Sequence, residues 1–195
     1  MSLPKDIIDD QRRPVSLLKL LGRGGEGAVY EILGDPTQAA KIYFPDKAAS
    51  RRDKVLAMIQ AGLQKSATSI AYPIKPLFHS NGAFAGFTME KVRARKPIHE
   101  LYSPSSRKTK FVKADFRFLV RTALNLANSV AAVHSSGCVI GDINHSGILI
   151  SEEALATLID ADSFQFNFGG NLYRCIVGTE DFTPPELQGE PDPQI

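Results

Sequence analysis

The sequence predicts an α+β protein in two parts: a β-rich part over residues 1–92 and a more helical part over residues 93–195. Three observations carry that prediction. Short β-prone runs punctuated by Gly and Pro dominate before Val92. The strongest helical pattern, Asp115 to Ser135, lies after it, with Phe116, Leu119, Val120, Ala123, Ala127, Val130 and Ala131 at helical spacing. Third, Asp142 and Asp160 bracket a short apolar hairpin, in which Ile148 to Ile150 reads as a buried strand, Ser151 to Ala154 as a turn and Thr157 to Ile159 as the returning strand. A strand that goes out and comes back ends near where it began, so two carboxylates are expected at one end of the hairpin. Such a pair can hold a cation, or one member can hold it while the other handles a proton. The competing reading is two loop acids, each capping a turn.

Composition narrows the classes. With 195 residues, 43% hydrophobic and 23% charged, the chain suits one domain or one bilobal unit with a real core. A net charge of +2 gives no case for direct nucleic-acid binding. No apolar run is long enough to span a bilayer, and residues 1–10 lack an apolar signal core, so no membrane association is expected. Cys138 and Cys175 form neither a disulfide framework nor a metal spacing, which fits a reducing, cytoplasmic compartment.

In chain order, Ser16 to Leu21, Ala28 to Leu33 and Gln38 to Phe44 read as strands. Gly22-Arg-Gly24-Gly25-Glu-Gly27-Ala-Val29 falls at the first turn. Glycines in that spacing let a strand-turn-strand approach phosphates closely, with backbone amides as donors. A dinucleotide-binding reading requires a helix next, and the β-prone residues that follow exclude it. Lys41 lies within an apolar strand, where an ammonium needs a partner; a phosphate plus a carboxylate would serve, and a snorkelling edge lysine is the plainer alternative. The next helix, capped by Ser50 and with Val55, Met58 and Ile59 on its apolar face, offers Asp53 as that carboxylate, since no Glu lies between Glu31 and Glu90. Phe84 to Met89 is a further strand and Glu90 to Val92 a connector. Arg93 to Lys113 is polar, with a basic run at Arg107 to Lys110, and Arg107 to Lys113 reads as a solvated loop. Ser136-Gly137 stops the long helix. A Gly-rich loop follows the bracketed hairpin, then Thr183-Pro-Pro-Glu186. Gly189 to Ile195 looks like a linker, which favours a longer parent with a further C-terminal domain.

Taken in order, these residues resemble the protein kinase superfamily, whose signatures are a Gly-rich loop, a strand lysine, a catalytic-loop aspartate, a metal-binding aspartate and a late Pro-Glu element. The likeness runs from about residue 17 to 188 and implies a bilobal kinase-like fold with a truncated second lobe. It looks nearest to a bacterial Ser/Thr-type subgroup with a Gly-Asp-Ile-Asn loop and the element Leu158-Ile-Asp-Ala-Asp-Ser-Phe-Gln165. The resemblance implies ATP and Mg²⁺ as cofactors and a protein Ser/Thr hydroxyl as acceptor. Gly22, Gly24, Gly25, Gly27 and Val29 would cover the phosphates, and Lys41, oriented by Asp53, would hold them. Met89 would be the gatekeeper, with the backbone of Glu90 and Val92 on the adenine. Asp142 would be the catalytic aspartate and Asp160 the metal ligand, with Asn144 as a shifted second ligand or a residue bonding its own loop.

The chain also departs from that pattern. Ile140-Gly141 replaces His-Arg, so no arginine clamps a phosphorylated activation segment. Asp160-Ala-Asp162 replaces Asp-Phe-Gly, and Asp162 reads as a turn cap ahead of a metal ligand. Gly147 stands five residues after Asp142, where the family places its metal-binding Asn. These departures leave a second reading open: an ATP-binding pseudokinase or scaffold with little or no transfer.

Overall fold

A computed structural model describes residues 3–93, 95–185 and 188. Glu186 and the linker-like stretch from Gly189 to Ile195 lie outside the described residues. The chain divides into two compact units, Met1–Gln64 with Tyr72–Lys91, and Lys65–Ala71 with Val92–Ile195. The chain thus passes from one unit to the other after Gln64, after Ala71 and after Lys91.

The first unit is a six-stranded antiparallel sheet and one helix. Its strands are β1 (Ile7–Asp9), β2 (Leu17–Arg23), β3 (Gly27–Ile32), β4 (Asp35–Tyr43), β5 (Lys75–His79) and β6 (Phe84–Glu90), in the order β1-β5-β6-β4-β3-β2. Ala28, Tyr30, Ala40, Ile42, Leu77 and Ala85 share one buried cluster, as alternation along the strands requires. Lys41 and Tyr43 have the opposite parity, and Lys41 lies across from Phe87 in register. Gly86 admits no side chain, because a Cβ there would lie 1.9 Å from the Lys41 carbonyl oxygen.

Helix α1 (Pro45–Gln60) packs on β5 and β6. It starts at Pro45 and not at Ser50, because a proline in the first turn presets φ and needs no amide partner. Ser50 instead bonds the Lys47 carbonyl within the helix. The buried face of α1 holds Arg51, Lys54, Val55 and Met58, at spacings of three and four residues.

Glu31 on β3 receives Lys91 Nζ at 2.6 Å and Lys19 Nζ at 3.4 Å. The Lys91 hydrogen bond, followed by Lys19, holds its carboxyl below the ordinary value of 4.5. A depressed carboxylate contributes stability that is present above its ordinary value and lost as pH falls through the folded one. Glu31→Gln should therefore lower the melting temperature at neutral pH, and by less in acid, as the pH falls below 4.5 and through the depressed folded value. Thermal melts at neutral pH and in acid check this, and a difference that persists undiminished in acid would exclude the charge as its cause.

The second unit holds β7 (Arg95–Pro97), α2 (His99–Tyr102), α3 (Pro104–Lys110), α4 (Phe116–Ser135), β8 (Cys138–Val139), β9 (Ile148–Ser151), β10 (Ala156–Leu158), β11 (Gln165–Phe168) and β12 (Asn171–Tyr173). Two three-stranded sheets, β10-β9-β7 and β12-β11-β8, carry it. The polar stretch from Arg93 to Lys113 thus contains β7, α2 and α3, and the first part of the expected solvated loop, Arg107 to Lys110, lies in α3. The expected Gly-rich loop is a hairpin turned by Gly169 and Gly170, whose φ values of 58° and 80° suit glycine.

Asp115 caps α4 by accepting the Phe118 amide at 2.8 Å. The helix packs on β8 and β10 through Thr122, Ser129 and Val133. Its apolar residues Phe116, Val120 and Leu124 are 78%, 53% and 60% exposed, so the face that periodicity selects is not the one buried among the described residues. The Thr122 and Ser129 hydroxyls bond the Phe118 and Asn125 carbonyls of their own helix, so they bury without an unmet donor. No helix among the described residues is long and apolar enough to cross a membrane.

Candidate functional site

The first unit contributes a glycine turn, a buried lysine and a free strand end. The turn joins β2 and β3 and closes through the Gly24 amide on the Gly27 carbonyl at 2.9 Å. Gly27 is required by packing, since a Cβ there would lie 2.4 Å from the Ile42 carbonyl oxygen. Gly22, Gly24 and Gly25 have nothing within 4 Å of where a Cβ would sit. Their smallness meets no demand of the protein's own packing and leaves the backbone open to a ligand.

Val29, Lys41 and Phe87 lie side by side across β3, β4 and β6. Lys41 is 8% exposed, with its Nζ 5.6 Å from the Tyr43 ring centre and 6.0 Å from that of Phe87. Asp53 is exposed on α1 and makes no ion pair with Lys41; the expected pairing is corrected. The helical turn that buries Arg51, Lys54 and Val55 carries Asp53 to the outer side.

Met89 is the last residue but one of β6 and is 8% exposed. The Lys91 amide donates to Thr37 at 2.8 Å across the Gln38–Glu90 pair. In an antiparallel ladder that makes Gln38–Glu90 a pair without direct backbone bonds, so the Glu90 N–H and C=O point away from β4. On that side the last bond from the β5 end is Ile74 to the Thr88 carbonyl at 2.7 Å, which leaves the Glu90 backbone beyond the paired region. Val92 follows outside any regular element.

The second unit contributes the acids. Strands β9 and β10 pair Ile148 with Leu158 and Ile150 with Ala156, and the Ile159 amide extends the ladder to Gly147 at 2.9 Å. Asp160 is thus one residue beyond Ile159, the partner of Gly147. Asp142, Asn144, Gly147, Ile148, Ile159 and Phe164 line one small cavity, so the loop of Asp142 shares it with Ile159, the residue before Asp160. The Thr179 hydroxyl donates to Asp142 Oδ1 at 3.0 Å. The His145 ring packs between His99 (5.0 Å between centres) and Phe182 (5.4 Å), bracing the loop that carries Asp142. Neither the Thr179 contact nor this ring stack is legible in spacing, because both join residues more than thirty positions apart.

Asn144 accepts the Ser146 amide at 2.8 Å and the Gly147 amide at 3.0 Å, both on Oδ1. Both lone pairs are occupied, so Asn144 caps its own loop and offers no oxygen to a cation in this arrangement. Asp160 is exposed and left-handed, at φ 60° and ψ 32°, a conformation Asp tolerates better than most residues. Its carbonyl accepts the Ser163 amide and hydroxyl. Asp162 is 3% exposed in the same 3₁₀ turn. Among the described residues no three His, Cys, Asp or Glu side chains converge as a metal cage.

No family profile matches the chain. It is 40% identical over 172 residues to the protein kinase YegI of Escherichia coli O157:H7, covering 88% of this chain and 27% of that protein. The match to YegI of E. coli strain K12 is the same in identity and length. A probable serine/threonine-protein kinase of Dictyostelium discoideum, DDB_G0275165, is 24% identical over 188 residues, 93% of this chain and 19% of that one. The chain spans about a quarter of the length of the YegI proteins it matches. Among solved structures, the ROP18 kinase domain in complex with AMP-PNP and sucrose superposes with a TM-score of 0.65 at 16% identity, over 96% of this chain and 62% of that one. The fold is that of a protein kinase domain, α+β with a sheet-rich first part. In sequence, the chain is similar to the YegI protein kinases over most of its length.

Proposed function

We propose that this chain binds ATP and transfers its γ-phosphate to a Ser or Thr hydroxyl of a protein substrate. The observation that carries the reading is Asp142, whose carboxylate already accepts a hydrogen bond from a threonine hydroxyl at 3.0 Å. An incoming Ser or Thr hydroxyl makes the same demand of a catalytic aspartate. Asp142 orients that hydroxyl and receives its proton. Lys41 holds the phosphates, the open backbone of Gly22, Gly24 and Gly25 covers them, and the outward backbone of Glu90 with Val92 holds the adenine. Asp160 is the carboxylate suited to Mg²⁺, which needs only one or two carboxylates besides the nucleotide oxygens. When bound, that ion neutralises charge on the phosphates.

A second reading, nucleotide binding without transfer, is favoured by Gly147 and by the occupied Asn144 oxygen. One experiment separates the two. ATP with Mg²⁺ at about a hundred times its dissociation constant should raise the melting temperature by about 5 °C, and radiolabelled phosphate should pass to a protein acceptor. A shift without transfer supports the second reading, and no shift overturns both.

A further inference from the structure

The glycine turn is tied to helix α1 by a nearly buried ion pair. Arg51 Nε lies 3.1 Å from each carboxylate oxygen of Glu26, and its Nη2 also donates to Glu26 Oε1. The Arg51 side chain is 8% exposed and that of Glu26 is 23% exposed. Glu26 sits inside the turn, between Gly25 and Gly27. Its own carbonyl accepts the Phe44 amide at 2.8 Å, and the Arg23 guanidinium lies 4.7 Å from the Phe44 ring centre. Phe44 is the residue immediately before α1. Every one of these ties thus runs from the turn to the start of one helix.

The turn has little packing of its own, since three of its glycines face open space. A charge-assisted, two-point guanidinium–carboxylate contact is the strongest of its ties and fixes direction as well as distance. We propose that the Glu26–Arg51 pair is the device that holds the glycine turn in place, so that its amides are preset for phosphate. Both are positioning residues. The pinning stands on the geometry alone, and its consequence for nucleotide affinity rests on the ATP-binding reading above.

Hydrogen exchange on the full, nucleotide-free chain reads the pinning directly through the amides of Gly24 and Phe44, which bond the Gly27 and Glu26 carbonyls. Arg51→Met should speed both by about tenfold, the factor of a charge-assisted hydrogen bond, and weaken a fluorescent ATP analogue by a similar factor. Glu26→Gln, on the more exposed side, should do the same with little risk to folding, and Arg51→Lys should restore part of each effect. The amides of Leu158 and Ile159 should exchange as before. Unchanged exchange at Gly24 and Phe44 overturns the proposal, and faster exchange with unaltered affinity overturns its functional half. If the unaltered chain binds no nucleotide, the reading above fails, while the two amides still decide whether the pair pins the turn.

Discussion

Asp142→Ala should lower phosphate transfer about a thousandfold, within the range that a positioned general base commands, while leaving nucleotide binding nearly intact. Asp142 belongs to the second unit, whereas the glycine turn, Lys41 and the Glu90 backbone belong to the first. The substitution should also be well tolerated by the fold. Asp142 is half-buried, and its Thr179 hydroxyl partner is also half-buried and able to turn to water, a loss of about 1 kcal/mol. Transfer of labelled phosphate by the variant at the original rate would remove Asp142 from the chemistry. A matching loss of nucleotide affinity would instead make it a binding residue.

Gly147→Asn should raise transfer, by about a hundredfold if a missing metal ligand is what limits the chain. The structure has room for the change. Gly147 is not left-handed, and a Cβ there would meet the Asn144 and Ile159 carbonyl oxygens at 3.7 and 3.8 Å and Asn144 Oδ1 at 3.9 Å, all ordinary contacts. Its amide and carbonyl, bonded to Asn144 and Ile159, are unaffected by a side chain. The position is where the resembled family carries its metal-binding Asn, and Asn144 cannot substitute while it caps its own loop. The Mg²⁺ concentration for half-maximal transfer should fall together with the gain. Equal Mg²⁺ dependence in the two proteins would show that Gly147 is not the missing ligand.

The parts of this site that were legible in the sequence are those set by local rules. Glycine spacing and β-prone neighbours marked the turn from Gly22 to Gly27. An apolar run around Lys41 marked a buried strand lysine, and two apolar triplets around a short turn marked the β9–β10 hairpin, the strand pair that carries the chain from the Asp142 loop to Ile159. The Asx cap of Asn144 was one of two local options, and the geometry chooses it.

What was not legible depends on which face of an element finds a partner. Asp53 was chosen as the partner for Lys41 because it is the acid on the right helix. Yet that helix buries Arg51 and Lys54, and Arg51 takes its carboxylate from Glu26 in the glycine turn, twenty-five residues earlier. On α4 the periodicity of large apolar residues selects Phe116 and Val120, but β8 and β10 lie against Thr122, Ser129 and Val133. Small hydroxyl residues that bond their own helix bury well and leave no hydrophobic signal. Between Arg93 and Lys113, β7 forms only because β9 is there to pair with it, through Arg95 with Ser151 and Pro97 with Leu149.

By itself, then, the sequence determined the strands on either side of the glycine turn, the long helix α4, the β9–β10 hairpin, the α+β class and the likeness to protein kinases, because strand alternation, glycine turns and catalytic spacings are written over a few neighbouring residues. Only the tertiary structure decided that Glu26 and Arg51 lock together, that Thr179 meets Asp142, that the Asn144 oxygen is occupied and that Gly147 has room for a side chain. Each of those facts turns on side-chain direction across long sequence separations or on the free space around one backbone atom, and neither quantity is encoded in local pattern.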